Sequence, residues 1–132
     1  MNFILDTSAL IEVENGNEEI IKKILDLKKT SQTDLAITIF TFCEFYYGFL
    51  QKNEKHKQKA PERLHQYTLL QTTERSGQIF CELLSQIKKM GLTITQFDLF
   101  IASLAIEHGY TLLTLDQDFE HIPGLKKIIL RF

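Results

Sequence analysis

The stretch TITQFDLFIASLAIEHGYTLLTLDQDF, residues 93–119, contains the pattern on which the predicted fold depends. Thr95 stands three residues before Asp98, which is the spacing of a helix-capping box. The next residues are apolar nearly all round, as in a helix packed inside a domain, and Gly109 supplies its end. Residues 110–114 then form a short apolar and β-branched run that predicts a buried strand. A helix followed so closely by a buried strand is half of a β–α–β unit.

The geometry of such a unit brings acidic residues from distant parts of the chain to one edge of the sheet. The helix begins at the carboxyl edge and the next strand returns to it, so Asp98 and Asp116 should arrive there together. Asp6 follows the first apolar run and Glu44 lies near the start of the helix after the second predicted strand. We therefore expect all four carboxylates on the rim where open α/β sheets bind their ligands.

The remaining patterns complete a single α/β domain over residues 1–132 with a mostly parallel sheet. Short apolar runs predict the other strands, and periodic apolar positions predict the other helices. The predicted strands cover 2–5, 35–38, 69–72 and 126–132, and the predicted helices cover 9–13, 18–29, 41–51 and 74–90, with Pro61 opening a further helix.

Composition limits the classes of function. The 132 residues carry 15 Lys and Arg against 17 Asp and Glu, and this net charge of −2 excludes a uniformly basic DNA-coating protein but leaves room for a local basic patch. No segment approaches the roughly 20 apolar residues of a membrane span. Cys43 and Cys81 lie in apolar helical patterns without metal-ligand spacing, which predicts buried thiols and a cytoplasmic protein.

A cluster of carboxylates requires a neutralising partner. Two such charges about 4 Å apart repel by roughly 4 kcal/mol at an effective dielectric near 20. Hard divalent cations with oxygen ligands, Mg²⁺ or Mn²⁺, are the natural answer, and they suit phosphodiester hydrolysis by a metal-activated water. Each acid also has a structural explanation: two have capping-box spacing, one would cap a helix and one would lie in a turn. Their convergence is what these explanations leave unaccounted for.

Several motifs resemble the PIN-domain nucleases, and most closely the VapC-type toxins of toxin–antitoxin pairs. They are LDTSALIE at 5–12, Glu44 in an aromatic helix, DLFIASLA at 98–105 and LLTLDQDF at 112–119. The resemblance covers essentially the whole chain. It implies a three-layer α/β/α sandwich and a ribonuclease that depends on one or two Mg²⁺ or Mn²⁺ ions.

The resemblance also assigns residues and partners. Matched position by position, the catalytic and metal-binding acids are Asp6, Glu44, Asp98 and Asp116, with Asp118 as an additional metal-binding acid, and Ser8 and Thr114 as supporting hydroxyls beside them. It further implies an RNA substrate, a homodimer and an antitoxin protein whose peptide lies over the groove.

Two questions remain open at the level of sequence. The polar segment QKNEKHKQKAPER, residues 51–63, would follow an RNA backbone through Lys52, Lys55, Lys57, Lys59 and Arg63, although a solvated surface is the better explanation for most of these charges. The alternatives to a ribonuclease are a PIN-fold binding module with vestigial catalysis and a nuclease that acts on DNA. A phosphatase of the haloacid-dehalogenase type is disfavoured, because Ser8 stands where its second Asp would be.

Overall fold

The computed structural model describes residues 2–29, 34–52 and 60–131. Within these ranges the chain alternates short strands with helices. The strands are β1 (Phe3–Leu5), β2 (Leu35–Thr38), β3 (Thr68–Leu70), β4 (Thr111–Thr114) and β5 (Lys127–Ile129). The helices are α1 (Thr7–Glu14), α2 (Glu18–Lys28), α3 (Ile39–Gln51), α4 (Ala60–Leu64), α5 (Glu74–Lys89) and α6 (Gln96–His108), and a short 3₁₀ helix covers Gln117–His121.

The strands form one sheet in the order β3-β2-β1-β4-β5, and every neighbouring pair is parallel. Ile4 of β1 lies beside Ala36 on one side and Leu112 on the other. The strand order reverses direction at β1, so the carboxyl ends of β1 and β4 flank the crevice where such sheets bind ligands. The predicted α/β fold is confirmed, and its mostly parallel sheet is parallel throughout the described part of the chain.

The sheet is covered by helices on both faces. Phe3 and Leu5 pack with side chains of α1 and α2, whereas Ile4 between them packs with α5 and α6. This alternation follows from the two-residue period of a strand, and it explains why the strands read as continuous apolar runs. The result is the three-layer α/β/α sandwich that the resemblance implies.

Local capping fixes where the helices near the carboxyl edge begin and end. Thr38, the last residue of β2, caps α3 by accepting a hydrogen bond from the Thr41 N–H at 3.1 Å. Helix α3 therefore starts at Ile39, ahead of the predicted position, and Glu44 lies in its second turn. The capping-box explanation for Glu44 is consequently wrong. Gly109 ends α6 with φ +70°, a left-handed conformation that glycine adopts without a steric penalty.

The prediction that both cysteines are buried is wrong, because Cys43 and Cys81 are exposed. Each stands two positions from a buried residue, Thr41 in α3 and Ile79 in α5, and two positions turn a helix by roughly 200°. Both thiols thus point to the outer face. No helix within the described ranges has the length and apolar character needed to cross a bilayer.

Candidate metal centre

Asp6 follows β1 directly and is the most enclosed of the four acids. Its Oδ1 accepts hydrogen bonds from the Ala9 N–H at 2.9 Å and the Ser8 hydroxyl at 2.7 Å, and its Oδ2 accepts from the Thr114 hydroxyl. Burial raises the pKa of Asp6 in spite of these three donors, and the charge of Asp116 raises it further. Because a carboxylate offers about four acceptor positions, one position on Oδ2 is left for a cation.

The two hydroxyls beside Asp6 also connect the ends of β1 and β4. Ser8 accepts from the Leu115 N–H at 3.1 Å while it donates to Asp6, and Thr114 accepts from the Asp116 N–H at 2.9 Å while it donates to the same carboxylate. The structure therefore brings both predicted hydroxyl residues against Asp6. Their function toward an ion stays a prediction.

Glu44 reaches the same edge from α3. Its Oε1 accepts a hydrogen bond from the Thr7 hydroxyl at 2.7 Å, which links the start of α1 to the second turn of α3. Among the described residues, Oε2 of Glu44 accepts no hydrogen bond. One oxygen is thus fixed by the fold and the other is available.

Asp98 lies in the first turn of α6. Its N–H donates to the Thr95 hydroxyl at 3.3 Å, so Thr95 caps the helix as predicted. Burial raises the pKa of Asp98 to about 6, the Thr95 side chain opposes that rise by hydrogen bonding, and the negative charges of Asp116, Glu44 and Asp6 add to it. Asp98 therefore lies close enough to all three other acids to interact with them electrostatically.

Asp116 follows β4 and caps the 3₁₀ helix, which the sequence patterns did not predict. Its Oδ1 accepts from the Asp118 N–H at 2.9 Å. Asp118 is exposed beside it. Oδ1 of Asp116 therefore has the turn-forming function that the sequence suggests. Oδ2 accepts no hydrogen bond from the residues that the structure describes.

The four acids share an edge without closing on one another. The Lys and Arg ion pairs found within the described ranges use other acids, namely Asp26, Glu14 and Glu120. In the same part of the chain, no three His, Cys, Asp or Glu side chains approach closely enough to enclose an ion as they stand.

The donor set fits a hard divalent cation. It consists of carboxylate oxygens with hydroxyls behind them, and Asp6, Glu44 and Asp116 each keep an acceptor position that the fold does not use. Oxygen ligands of this kind match Mg²⁺ and Mn²⁺, whereas Zn²⁺ is better matched by nitrogen and sulfur ligands.

The basic residues proposed for RNA binding lie apart from this group or outside the described residues. Lys52 is exposed directly after α3. Arg63 binds Glu14 at the end of α1, with Nε and Oε1 2.5 Å apart. Lys55, Lys57 and Lys59 fall outside the ranges that the structure describes.

Sequence reasoning missed the hydroxyl of Thr7. Its contact with Glu44 spans 37 positions along the chain, and no local pattern predicts it. The sheet topology alone could have indicated this contact. Thr7 is the first residue of α1, and α1 and α3 both begin at the carboxyl edge of the sheet.

Comparison with known sequences gives consistent matches along nearly the whole chain. Residues 3–125 match the model of the family described as PIN domain. Ribonuclease VapC1 of Rickettsia felis is 28% identical over 132 residues, which cover 96% of this chain and 94% of that protein. Ribonuclease VapC of Rickettsia bellii is 29% identical over 133 residues, which cover 96% and 94%.

Solved structures share the fold. VapBC2 from Rickettsia felis, bound to a DNA fragment from its promoter, matches with a TM-score of 0.85 and 24% identity over 97% of this chain and 98% of that one. VapBC-1 from nontypeable Haemophilus influenzae matches with a TM-score of 0.84 and 24% identity over 97% of each chain. At this level of identity the likeness extends to the fold alone.

Proposed function

Because the chain belongs to the PIN domain family, we propose that it is a divalent-metal-dependent endoribonuclease and the toxin of a toxin–antitoxin pair. The proposal is supported by the carboxyl edge of the sheet, where burial and the charges of Asp116, Glu44 and Asp6 raise the pKa of Asp98 to about 6. Within the described ranges none of these acids is paired with Lys or Arg. The relatives named ribonuclease VapC support RNA as the substrate.

The proposed cofactor is one or two Mg²⁺ or Mn²⁺ ions, held by Asp6, Glu44, Asp98 and Asp116 with Asp118 beside them. When bound, such ions lower the pKa of a water molecule and offset the charge that develops on the phosphodiester. This chemistry needs no Ser or Cys nucleophile, so the hydroxyls of Ser8 and Thr114 are free to serve Asp6.

The chain's own residues prepare the edge for a cation in three ways. Ser8 and Thr114 hold the Asp6 carboxylate so that one acceptor position stays open. Asp116 is anchored through one oxygen by the 3₁₀ helix that it caps. Asp98 carries a pKa raised to about 6 by burial and by the three neighbouring negative charges, and a bound cation would favour its ionised form.

We extend the proposal to domain organisation and partners. The single sheet and the family match over residues 3–125 support one domain for residues 1–132. The proposed compartment is the cytoplasm, where RNA is available. Exposed apolar side chains on α3, Tyr47 at 66% and Leu50 at 50% exposure, support a surface for a second subunit or an antitoxin. The VapBC neighbours are toxin–antitoxin structures by name, which supports the antitoxin.

The direct test is a panel of fluorescent RNAs incubated with the purified protein and Mn²⁺, with an EDTA control and a matched single-stranded DNA. Asp116→Asn is the informative variant, and Glu120→Gln is its control, because Glu120 lies in the same 3₁₀ helix but pairs with Arg131. We expect cleavage of RNA only with Mn²⁺, lost in Asp116→Asn and kept in Glu120→Gln.

Each other outcome identifies an alternative. RNA binding without metal-dependent cleavage would favour a PIN-fold binding module with vestigial catalysis. Faster cleavage of the DNA than of the RNA would indicate a nuclease that acts on DNA. Cleavage that persists in Asp116→Asn would show that the carboxyl edge is not the site of the reaction.

A further inference from the structure

The Thr7 hydroxyl stands at the junction of two elements that both reach the carboxyl edge. It lies 2.7 Å from Oε1 of Glu44 and 3.2 Å from the hydroxyl oxygen of Thr41. Thr7 is the first residue of α1, whereas Thr41 and Glu44 both belong to α3. Thr7 is half-buried, Thr41 is fully buried and Glu44 is exposed.

The chemistry of the groups decides where the single proton of the Thr7 hydroxyl goes. An ionised carboxylate only accepts, and its Oε1 lies at the shorter of the two distances, so the Thr7 proton goes to Glu44. The Thr41 hydroxyl oxygen, 3.2 Å away, is the alternative acceptor for the same proton. The Thr7 hydroxyl thus connects the first residue of α1 to the Glu44 carboxylate of α3.

The hydrogen bond from Thr7 restricts a side chain that is otherwise free. Glutamate has three rotatable bonds, and ordering an exposed one costs side-chain entropy each time a ligand binds. A hydrogen bond from a hydroxyl to an ionised carboxylate at 2.7 Å is of the strong, charge-assisted kind. It fixes Oε1 and leaves Oε2 without a hydrogen-bond partner among the described residues.

We propose that Thr7 is a positioning residue for Glu44, because its hydroxyl holds the Glu44 carboxylate ready for a divalent cation. The inference rests on the proposed function in so far as the cation is the cofactor of that reaction. Thr7 would not touch the substrate or the reacting atoms. Its effect would be confined to how tightly, and at what metal concentration, the site is filled.

The experiment compares Thr7→Val, which keeps the branched shape and loses the hydroxyl, with Thr7→Ser, which keeps the hydroxyl. Mn²⁺ binding is measured by calorimetry on the full chain, and RNA cleavage is measured as a function of Mn²⁺ concentration. We expect Thr7→Val to bind Mn²⁺ about 10- to 100-fold more weakly, as is common when a ligand loses its supporting hydrogen bond, and Thr7→Ser to stay within about threefold of the wild type. The cleavage rate of Thr7→Val should recover at saturating Mn²⁺.

A double-mutant cycle shows whether Thr7 acts through Glu44. In a Glu44→Gln background the further change of Thr7→Val should alter Mn²⁺ affinity by less than about twofold, because the carboxylate it positions is gone. If Thr7→Val unfolds, Thr7→Ala supplies a second variant without the hydroxyl. An equal loss in Thr7→Ser and Thr7→Val, an unchanged affinity in Thr7→Val, or an undiminished effect in the Glu44→Gln background would each overturn the proposal.

The same measurements separate this inference from the proposed function. Mn²⁺ binding that follows the pattern above, in a wild type that cleaves no RNA, supports the positioning function of Thr7 and contradicts the ribonuclease. Metal-dependent cleavage by a wild type whose affinity for Mn²⁺ does not depend on Thr7 supports the ribonuclease and overturns the inference.

Discussion

The two edges of the sheet use carboxylates in opposite ways. At the amino edge the Asp34 carboxylate accepts hydrogen bonds from the hydroxyls of Thr68 at 2.8 Å and Tyr110 at 3.0 Å, and the Asp34 N–H donates to Asn2 Oδ1 at 3.0 Å. These four residues lie at the beginnings of β1, β2, β3 and β4. At the carboxyl edge, by contrast, the charges of Asp6, Glu44 and Asp116 act on Asp98.

The difference separates stability from function. Asp34 connects the beginning of β2 to those of β3 and β4 through the neutral hydroxyls of Thr68 and Tyr110. At the opposite edge Asp98 is half-buried, and this burial, together with the charges of Asp116, Glu44 and Asp6, raises its pKa to about 6. A fold that retains such an arrangement has a use for it other than stability, since strained or unfavourable groups persist at functional sites. The following predictions test that division.

The largest expected effect is on cleavage by Asp98→Asn. Removing this carboxylate should lower metal-dependent RNA cleavage by at least about 100-fold, because a lost ligand costs more than a lost supporting residue. The midpoint of thermal unfolding in EDTA should stay level or rise, because the substitution removes a charge that three neighbours repel. Cleavage assays and thermal unfolding of one preparation give both quantities. Full activity in this variant would contradict the assignment of the carboxyl edge as the site of cleavage.

Asp34→Ala should show the opposite pattern. Without this carboxylate the hydroxyls of Thr68 and Tyr110 lose the acceptor that they share. The free energy of unfolding, measured by urea denaturation, should therefore fall by about 2 kcal/mol. Cleavage per folded molecule should remain unchanged, since the amino edge is the far side of the sheet. A loss of activity without a loss of stability would show that the two edges are not independent.

The apolar pattern was sufficient to predict the fold because burial on both faces forces continuous apolar strands. It was also sufficient to bring four acids to one edge, since parallel strands end together. Helix α6, apolar nearly all round, is predicted within a residue or so of its observed bounds. What the pattern does not contain is the exact start of α3, which depends on the last residue of a strand acting as a cap.

Contacts between hydroxyls and carboxylates were beyond prediction for a different reason. The bond from Thr7 to Glu44 and the bonds from Thr68 and Tyr110 to Asp34 join residues 34 to 76 positions apart. Such contacts depend on side-chain direction after the elements have packed, and a hydroxyl residue carries no periodic signature. The exposed cysteines were mispredicted for a related reason, because an apolar run does not state which helix face meets the core.

A smaller effect is expected in the dependence of stability on pH. The folded-state pKa of Asp98 is about 6 against an ordinary 3.8, so the folded protein binds more protons than the unfolded chain between about pH 4 and 6. The free energy of unfolding in EDTA should therefore fall as pH rises through this window. Asp98→Asn should show a shallower fall, while the contribution of buried Asp6 is common to both proteins. Equal slopes in the two proteins would contradict the raised pKa of Asp98.

The smallest expected effect concerns the charges outside both edges. Arg63 is already bound to Glu14, whose side chain is 6% exposed, at the end of α1 about 10 Å from its start. Arg63→Gln should therefore lower the free energy of unfolding by about 1 kcal/mol and leave RNA affinity and its salt dependence unchanged.

Lys52 is exposed and has no such partner among the described residues, so Lys52→Gln should leave stability unchanged, weaken RNA binding about twofold and reduce its salt dependence. Fluorescence anisotropy over a range of salt concentrations, in EDTA to prevent cleavage, distinguishes the two. If Arg63→Gln proved the more damaging to RNA binding, the residue would leave its ion pair to meet the substrate, and function would extend beyond the carboxyl edge.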